Sequence, residues 1–221
     1  MFKKVAAVIL ASTIAIGLTI LNPFHTQAQT NPFNDVKDGD SHSENILSLY
    51  HSGIMTGVTS TSFKPNSFAT RGETAQFIVN ALGLNTEEAT NNPVYPDVST
   101  SNKYYHAIAI LSELKVVGGY TNGKFGPNDS LTRSQVATMI TRAFELSVAT
   151  TTKTKFTDVN RLNDLNARSY IQTLVNYGIT TGTTATTFSP NKNLTRGQLA
   201  TFLVKSISAK DGGELEVISV E

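Results

Sequence analysis

The chain has 221 residues, a formal net charge of +1, no cysteine and no tryptophan. So balanced a charge gives no bulk basic field, which makes nucleic acid and anionic membrane surfaces poor partners. Without cysteine there is no disulfide framework and no thiol or zinc-thiolate chemistry, so stability has to come from burial.

Residues 1–28 differ in kind from the rest. Lys3 and Lys4 precede an apolar run from Val5 to Leu21 and a polar NPFHTQA segment, with Thr26 and Ala28 as small residues before a cut after Ala28. That is the anatomy of a signal peptide, and it predicts export. A retained membrane anchor is the competing reading, because the run approaches the roughly 20 apolar residues that span a bilayer. Cleavage removes two lysines and no acid, leaving 193 residues, a charge of −1 and three histidines (His42, His51, His106). No membrane contact is then expected.

Beyond the leader the chain repeats itself with a period near 62. Each copy opens on an aromatic-x-Asp-Val phrase (Phe33–Val36, Tyr95–Val98, Phe156–Val159). A Phe-x-Pro-Asn phrase recurs at Phe63, Phe125 and Phe188, and a Thr-Arg phrase follows as ATRGE, LTRSQ and LTRGQ. Equivalent aspartates are 62 and 61 residues apart and equivalent arginines 62 and 63, so the copies stay in register. They occupy 32–84, 94–146 and 155–207, separated by polar linkers, with an acidic tail at 208–221.

Each copy begins with a predicted helix carrying apolar residues three apart: Ile46 and Leu49, Ile108 and Leu111, Ile171 and Leu174. Gly53 and Gly178 end it in two copies; Lys115 stands there in the second. A turn-rich loop of about 15 residues follows, as in GGYTNGKFGPN at 118–128. The second helix starts at the Thr-Arg phrase, with Val136, Met139, Ile140 and Ala143 on one face in copy two. One such unit is marginal on surface-to-volume grounds. Three can share a core, which predicts a mostly α body of helix-loop-helix repeats packed with pseudo-threefold symmetry; a linear solenoid is the alternative.

The Thr-Arg phrase fits a capping box. Thr70, Thr132 and Thr195 would accept from the third helical amide, and Glu73, Gln135 and Gln198 would return to the cap amide. Arg71, Arg133 and Arg196 need another reason, since a cation at the first helical position opposes the helix dipole. The small residue after each (Gly72, Ser134, Gly197) leaves room for a ligand at the first-turn amides. Amides, dipole and guanidinium fork together would suit a carboxylate or phosphate. The structural reading is that each arginine pairs with one of the repeated Asp35, Asp97 and Asp158; both can hold in one groove. Those aspartates could equally cap turns. Tyr104, Tyr105 and Tyr120 read as more exposed than the repeated aromatics, which read as core.

The aromatic-x-Asp opening, the glycine-bearing turns at Gly57, Gly119 and Gly182, GYTNGKFGPN, and the LTRSQ and ATRGE phrases resemble the S-layer homology family, whose motif is written ITRAE and whose usual arrangement is three tandem copies. The likeness covers about 32–207. It implies a three-pronged helical pseudo-trimer with grooves between copies. It also implies non-covalent attachment of an exported protein to an acidic secondary cell-wall polysaccharide, typically through a pyruvate ketal on a terminal amino sugar. Carried over position by position, the ligand residues would be Asp35, Asp97, Asp158, Gly57, Gly119, Gly182, Thr70, Arg71, Thr132, Arg133, Thr195 and Arg196. A tryptophan common in the family before the first helix is absent, Lys103 standing there in copy two. Copies one and three lack the GYxxG turn, so copy two is the first choice for an occupied groove.

The expected function is therefore a secreted, non-catalytic wall anchor needing no cofactor or metal. A structural adaptor is the alternative, assembling with S-layer or other exported proteins through the tail, whose LEVISV alternates like a strand. A two-carboxylate glycan hydrolase is disfavoured because three like aspartates do not supply two different roles.

Overall fold

The structure, a computed structural model, describes residues 30–86 and 95–212. The expected signal segment 1–28 and the LEVISV stretch expected to alternate like a strand lie outside these residues. Among the described residues six α-helices fall two to a copy: α1 (Ser43–His51) and α2 (Arg71–Leu82), α3 (Tyr105–Glu113) and α4 (Arg133–Ala143), and α5 (Leu165–Asn176) and α6 (Arg196–Gly212). All but α6 are nine to twelve residues long, a length that is marginal alone, so their stability comes from the faces they bury.

Those faces are the ones the periodicity marks. Ile46, Leu49, Ile108, Leu111, Ile171 and Leu174 are buried on the first helices, and Ala75, Ile78, Val136, Ile140, Leu199 and Leu203 on the second, all in one core cluster. The residue closing each first helix is left-handed: Gly53 at φ +73°, Lys115 at +58° and Gly178 at +65°. Lysine therefore adopts in copy two a conformation that costs glycine nothing.

The second helix of each copy packs on the first helix of the next: α2 on α3, α4 on α5, and α6 back on α1. The last contact closes a ring and removes the solenoid arrangement. At its centre the residues preceding the Thr-Arg phrases form a cycle of backbone hydrogen bonds. Ala69 N donates to Leu194 O (3.0 Å), Leu194 N to Leu131 O (2.9 Å) and Leu131 N to Ala69 O (3.1 Å). All three residues are fully buried. Isolated antiparallel bridges flank the cycle, and no longer strand occurs among the described residues.

Two expectations change. Helix α6 runs on to Gly212, so residues 208–212 are helical rather than tail. Tyr105 is a core residue at 7 % exposure, whereas Tyr120 is exposed and Tyr104 half-buried.

Candidate ligand clefts between repeats

The first-turn amides of α2, α4 and α6 have no intrahelical acceptors, yet they are not free. Arg71 N and Gly72 N donate to Asp129 O and Pro127 O, each at 2.9 Å. Arg133 N and Ser134 N donate to Lys192 O (2.9 Å) and Pro190 O (3.0 Å), and Arg196 N and Gly197 N to Ser67 O and Pro65 O, both at 2.9 Å. Every acceptor lies in the Phe-x-Pro-Asn loop of the following copy. The anion seat expected on these amides is thus taken by backbone carbonyls. The small residues have a packing reason as well: a Cβ on Gly197 would lie 2.9 Å from the His42 ring, and one on Gly72 would run into the Tyr104 ring.

Capping is complete in two copies. Thr132 Oγ accepts from Gln135 N while Gln135 Oε1 accepts from Thr132 N, and Thr195 and Gln198 exchange the same pair. Glu73 departs from the expected box. Its amide donates to Thr70 Oγ, but its carboxylate pairs with Arg196.

Each arginine runs from its own helix into the next copy. Arg71 Nε donates to Phe125 O at 2.7 Å, Arg133 Nε to Phe188 O at 2.7 Å and Arg196 Nε to Phe63 O at 2.8 Å. The same phenylalanine ring lies under each guanidinium, at 4.5, 4.6 and 4.4 Å from Cζ. A planar cation that bonds through its edge and stacks through its face suits this double contact. All three side chains are buried, at 8, 4 and 2 % exposure. Desolvation lowers the pKa of Arg133, with the charge of Asp158 opposing it; Arg196 falls to about 10 by desolvation, with Asp35 opposing. Both stay cationic at neutral pH.

The direct arginine–aspartate pairing does not form. Each aspartate instead accepts from the amide of that same phenylalanine, within its own copy. Asp35 Oδ1 accepts from Phe63 N (2.8 Å), Asp97 Oδ1 from Phe125 N (2.8 Å) and Asp158 Oδ1 from Phe188 N (3.0 Å), and the second oxygen takes the next amide along. Partial desolvation raises the Asp35 and Asp97 carboxyls, but these hydrogen bonds, with Ser62 Oγ on Asp35, outweigh it and hold both below the ordinary value. Aspartate and arginine from neighbouring copies therefore grip one loop residue from two sides.

The turn glycines make room for the opening aromatics. A Cβ on Gly119 would sit 2.7 Å from Tyr95 Cε1 and 3.0 Å from Lys124 O; on Gly57 and Gly182 it would meet the rings of Phe33 and Phe156. Gly182 alone of the three has a left-handed backbone, at φ +98°.

What remains open differs from copy to copy. Arg71 uses Nε and a terminal nitrogen, the latter on Gly118 O at 2.7 Å, and each guanidinium has a second ring nearby, Tyr120 at 4.7 Å for Arg71, Phe202 at 5.4 Å for Arg133 and Phe77 at 5.6 Å for Arg196. Arg196 uses all three nitrogens, on Phe63 O, Thr56 O and Glu73. Among the described residues the Arg133 guanidinium makes one hydrogen bond, through Nε. It borders a cleft of about 420 Å³ with Gly182, Thr183, Gln198 and Lys205, and no acid lines that cleft. The equivalent cleft in copy one holds about 260 Å³ and presents Glu73 with Gly57, Lys103 and Tyr104. Gly57 and Gly182 thus line clefts, as does Arg133. The aspartates are committed to loop amides and the three threonines cap their helices.

Lys205, His42 and the Glu73 carboxylate escaped the sequence reading. Glu73 carried a signal: it is the only acid in a register otherwise filled by Gln135 and Gln198.

Comparison with known proteins agrees with this architecture. The model of the S-layer homology domain matches at residues 32–75, 94–137 and 155–200. The surface-layer 125 kDa protein of Lysinibacillus sphaericus is 30 % identical over 91 % of the chain, which covers 17 % of that protein. An endoglucanase of Bacillus sp. (strain KSM-635) is 30 % identical over 90 % of the chain and 21 % of its own length. A cellulosome-anchoring protein of Acetivibrio thermocellus is 29 % identical over 71 % and 36 %. The chain therefore spans about a sixth to just over a third of the length of these relatives. With three matched copies, each at the position where the ring places one helix pair, the chain belongs to the S-layer homology domain family.

Proposed function

We propose that the chain is an exported, non-catalytic anchoring module that holds to the bacterial cell wall by binding an acidic secondary wall polysaccharide in a cleft between repeats. The observation that carries this reading is the Arg133 guanidinium, 4 % exposed, whose terminal nitrogens make no hydrogen bond among the described residues, beside an open cleft lined by no acid. A buried cation with unused donors gains most from a planar anion that can take two parallel hydrogen bonds, which describes a carboxylate. A pyruvate ketal supplies that group on a sugar. Such an anchor places the protein at the cell wall or S-layer.

The relatives support the reading in a second way. A surface-layer protein, an endoglucanase and a cellulosome-anchoring protein, three proteins of different names, each match this chain over 17, 21 and 36 % of their own length. A shared portion among proteins of such different names fits attachment better than a common reaction.

The test is retention on isolated wall sacculi. Native sacculi should pull the protein from solution, and sacculi stripped of pyruvate by mild acid should release it. Equal retention on both would refute the carboxylate reading.

A further inference from the structure

Outside the clefts, one short turn carries chemistry of its own. Asn122 and Gly123 form the only Asn-Gly pair in the chain, and both residues are exposed. We infer that Asn122 is a self-modification site, losing its side-chain amide through a cyclic imide with Gly123, and that the turn around the pair restrains the reaction.

The pair supplies its own reactants. The backbone nitrogen of Gly123 attacks Asn122 Cγ; the N–Cγ bond forms, the Cγ–Nδ2 bond breaks, and the Gly123 amide proton leaves with Nδ2 as ammonia. Water then opens the ring. Breaking the new N–Cγ bond gives aspartate, and breaking the bond to the main-chain carbonyl gives isoaspartate, so water is the only co-reactant. Glycine has no Cβ to hinder the approach, and the space beside Gly123 is open, since an added Cβ would meet nothing within 4 Å.

Hydrogen bonding sets the restraint. Tyr120 N donates to Lys124 O at 2.7 Å and Gly123 N to Tyr120 O at 2.9 Å, with Gly123 left-handed at φ +79°. This is a three-residue hairpin loop, a turn followed by a left-handed glycine. An imide nitrogen carries no hydrogen, so ring closure abolishes the bond from Gly123 N to Tyr120 O. The closed turn and the cyclic intermediate exclude each other, and reaction waits for local opening. Asn122 is otherwise set for attack. Lys124 N donates to its Oδ1 at 3.0 Å, drawing charge from Cγ, and Nδ2, the leaving group, makes no hydrogen bond among the described residues.

The two products act differently on the fold. Aspartate keeps the backbone and the acceptor for Lys124 N while adding a negative charge. Isoaspartate inserts a main-chain carbon between Tyr120 and Lys124, which then no longer close over three residues. The disturbance reaches Tyr120, whose ring lies 4.7 Å from Arg71 of the preceding repeat, and Gly119, packed on Tyr95. Ageing therefore loosens the joint between copies one and two. The corresponding turns of copies one and three, GVTSTSF and GTTATTF, contain no such pair.

The experiment incubates the full chain in mildly alkaline buffer, folded and in urea, and follows its proteolytic peptides by mass spectrometry. The peptide holding Asn122 should be the first to gain the mass of an acid over an amide, several-fold faster in urea than in the folded protein. Gly123→Ala should slow the reaction several-fold in urea, where no fold intervenes. Thr121 N makes no hydrogen bond among the described residues, and proline suits the second position of such a turn. Thr121→Pro should therefore slow the folded reaction further and leave the rate in urea unchanged. The separated isoaspartyl protein should melt below wild type, and Asn122→Asp should melt with wild type. Loss of another amide first would overturn the site. Equal rates folded and in urea, or a folded rate unmoved by Thr121→Pro, would overturn the restraint, and an isoaspartyl form as stable as wild type would overturn the loosening.

Discussion

Replacing Arg71 with alanine tests whether the arginines hold the ring together. Arg71 is 8 % exposed and donates at 2.7 Å to both Phe125 O and Gly118 O, which belong to the next repeat. Truncation leaves the buried Phe125 carbonyl short of a donor, at about 1–3 kcal/mol, whereas Gly118 is exposed and its carbonyl can turn to water. The change also removes stacking against Phe125 and Tyr120, worth about 0.5–2 kcal/mol for a cation on an aromatic face. Relief of the desolvated charge offsets part of this, since bringing a cation out of water costs several kcal/mol. The net loss is about 2 kcal/mol, and with about 2–4 °C per kcal/mol in a body of this size the midpoint should fall by about 4–8 °C. Thermal unfolding followed by circular dichroism at a helix band measures it. Arg71→Lys should recover little, because a point ammonium cannot reproduce the two-nitrogen fork or the flat stack. A midpoint within about 2 °C of wild type would show that the repeats stay joined without the guanidinium and would refute the reasoning.

Lys115→Gly should stabilise by about 0.5–1 kcal/mol, because the left-handed strain at φ +58° is relieved by more than the entropy glycine loses; urea titration would show a raised midpoint at constant slope. Gly119→Ala should destabilise by about 1–3 kcal/mol through overpacking against Tyr95 and the Lys124 carbonyl, and the compensating Tyr95→Leu should recover part of the loss in a double-mutant cycle. Thr132→Ala should cost about 1 kcal/mol as a lost cap, read from the same melting curves. Asp35 and Asp97 titrate below the ordinary 3.8 in the folded protein, so the unfolded chain binds more protons there. Their contribution is full above the unfolded value and drains as pH falls through the folded ones, so the Asp35→Asn, Asp97→Asn double variant should flatten the acid limb of the stability profile below about pH 4.

Helix-forming periodicity, cap chemistry and turn glycines are local properties, legible wherever the responsible residues lie within one turn of each other. Thr132 and Gln135 could be matched as a box, and Ile108 with Leu111 as a buried face, because three residues separate each pair. Repetition at a fixed period added the decisive non-local fact, that three units too small to stand alone must share a core. The repeated arginine pointed to an anion, either a ligand's or one of the repeated aspartates, whereas its Nε finds a backbone carbonyl in every copy.

The identity of that partner was a tertiary matter. Arg71 and Arg133 find their carbonyl acceptors 54 and 55 residues onward, and Arg196 reaches back 133 residues to Phe63, a distance set only by closure of the ring. The same closure fills the first-turn amides and brings His42 and Tyr104 against Gly197 and Gly72. A sequence repeat makes equivalent residues look interchangeable. Charge and hydrogen-bond satisfaction are settled by neighbours in space, which is why Arg71 bonds Gly118 O and Arg196 bonds Thr56 O and Glu73 although the repeat makes the three arginines look alike.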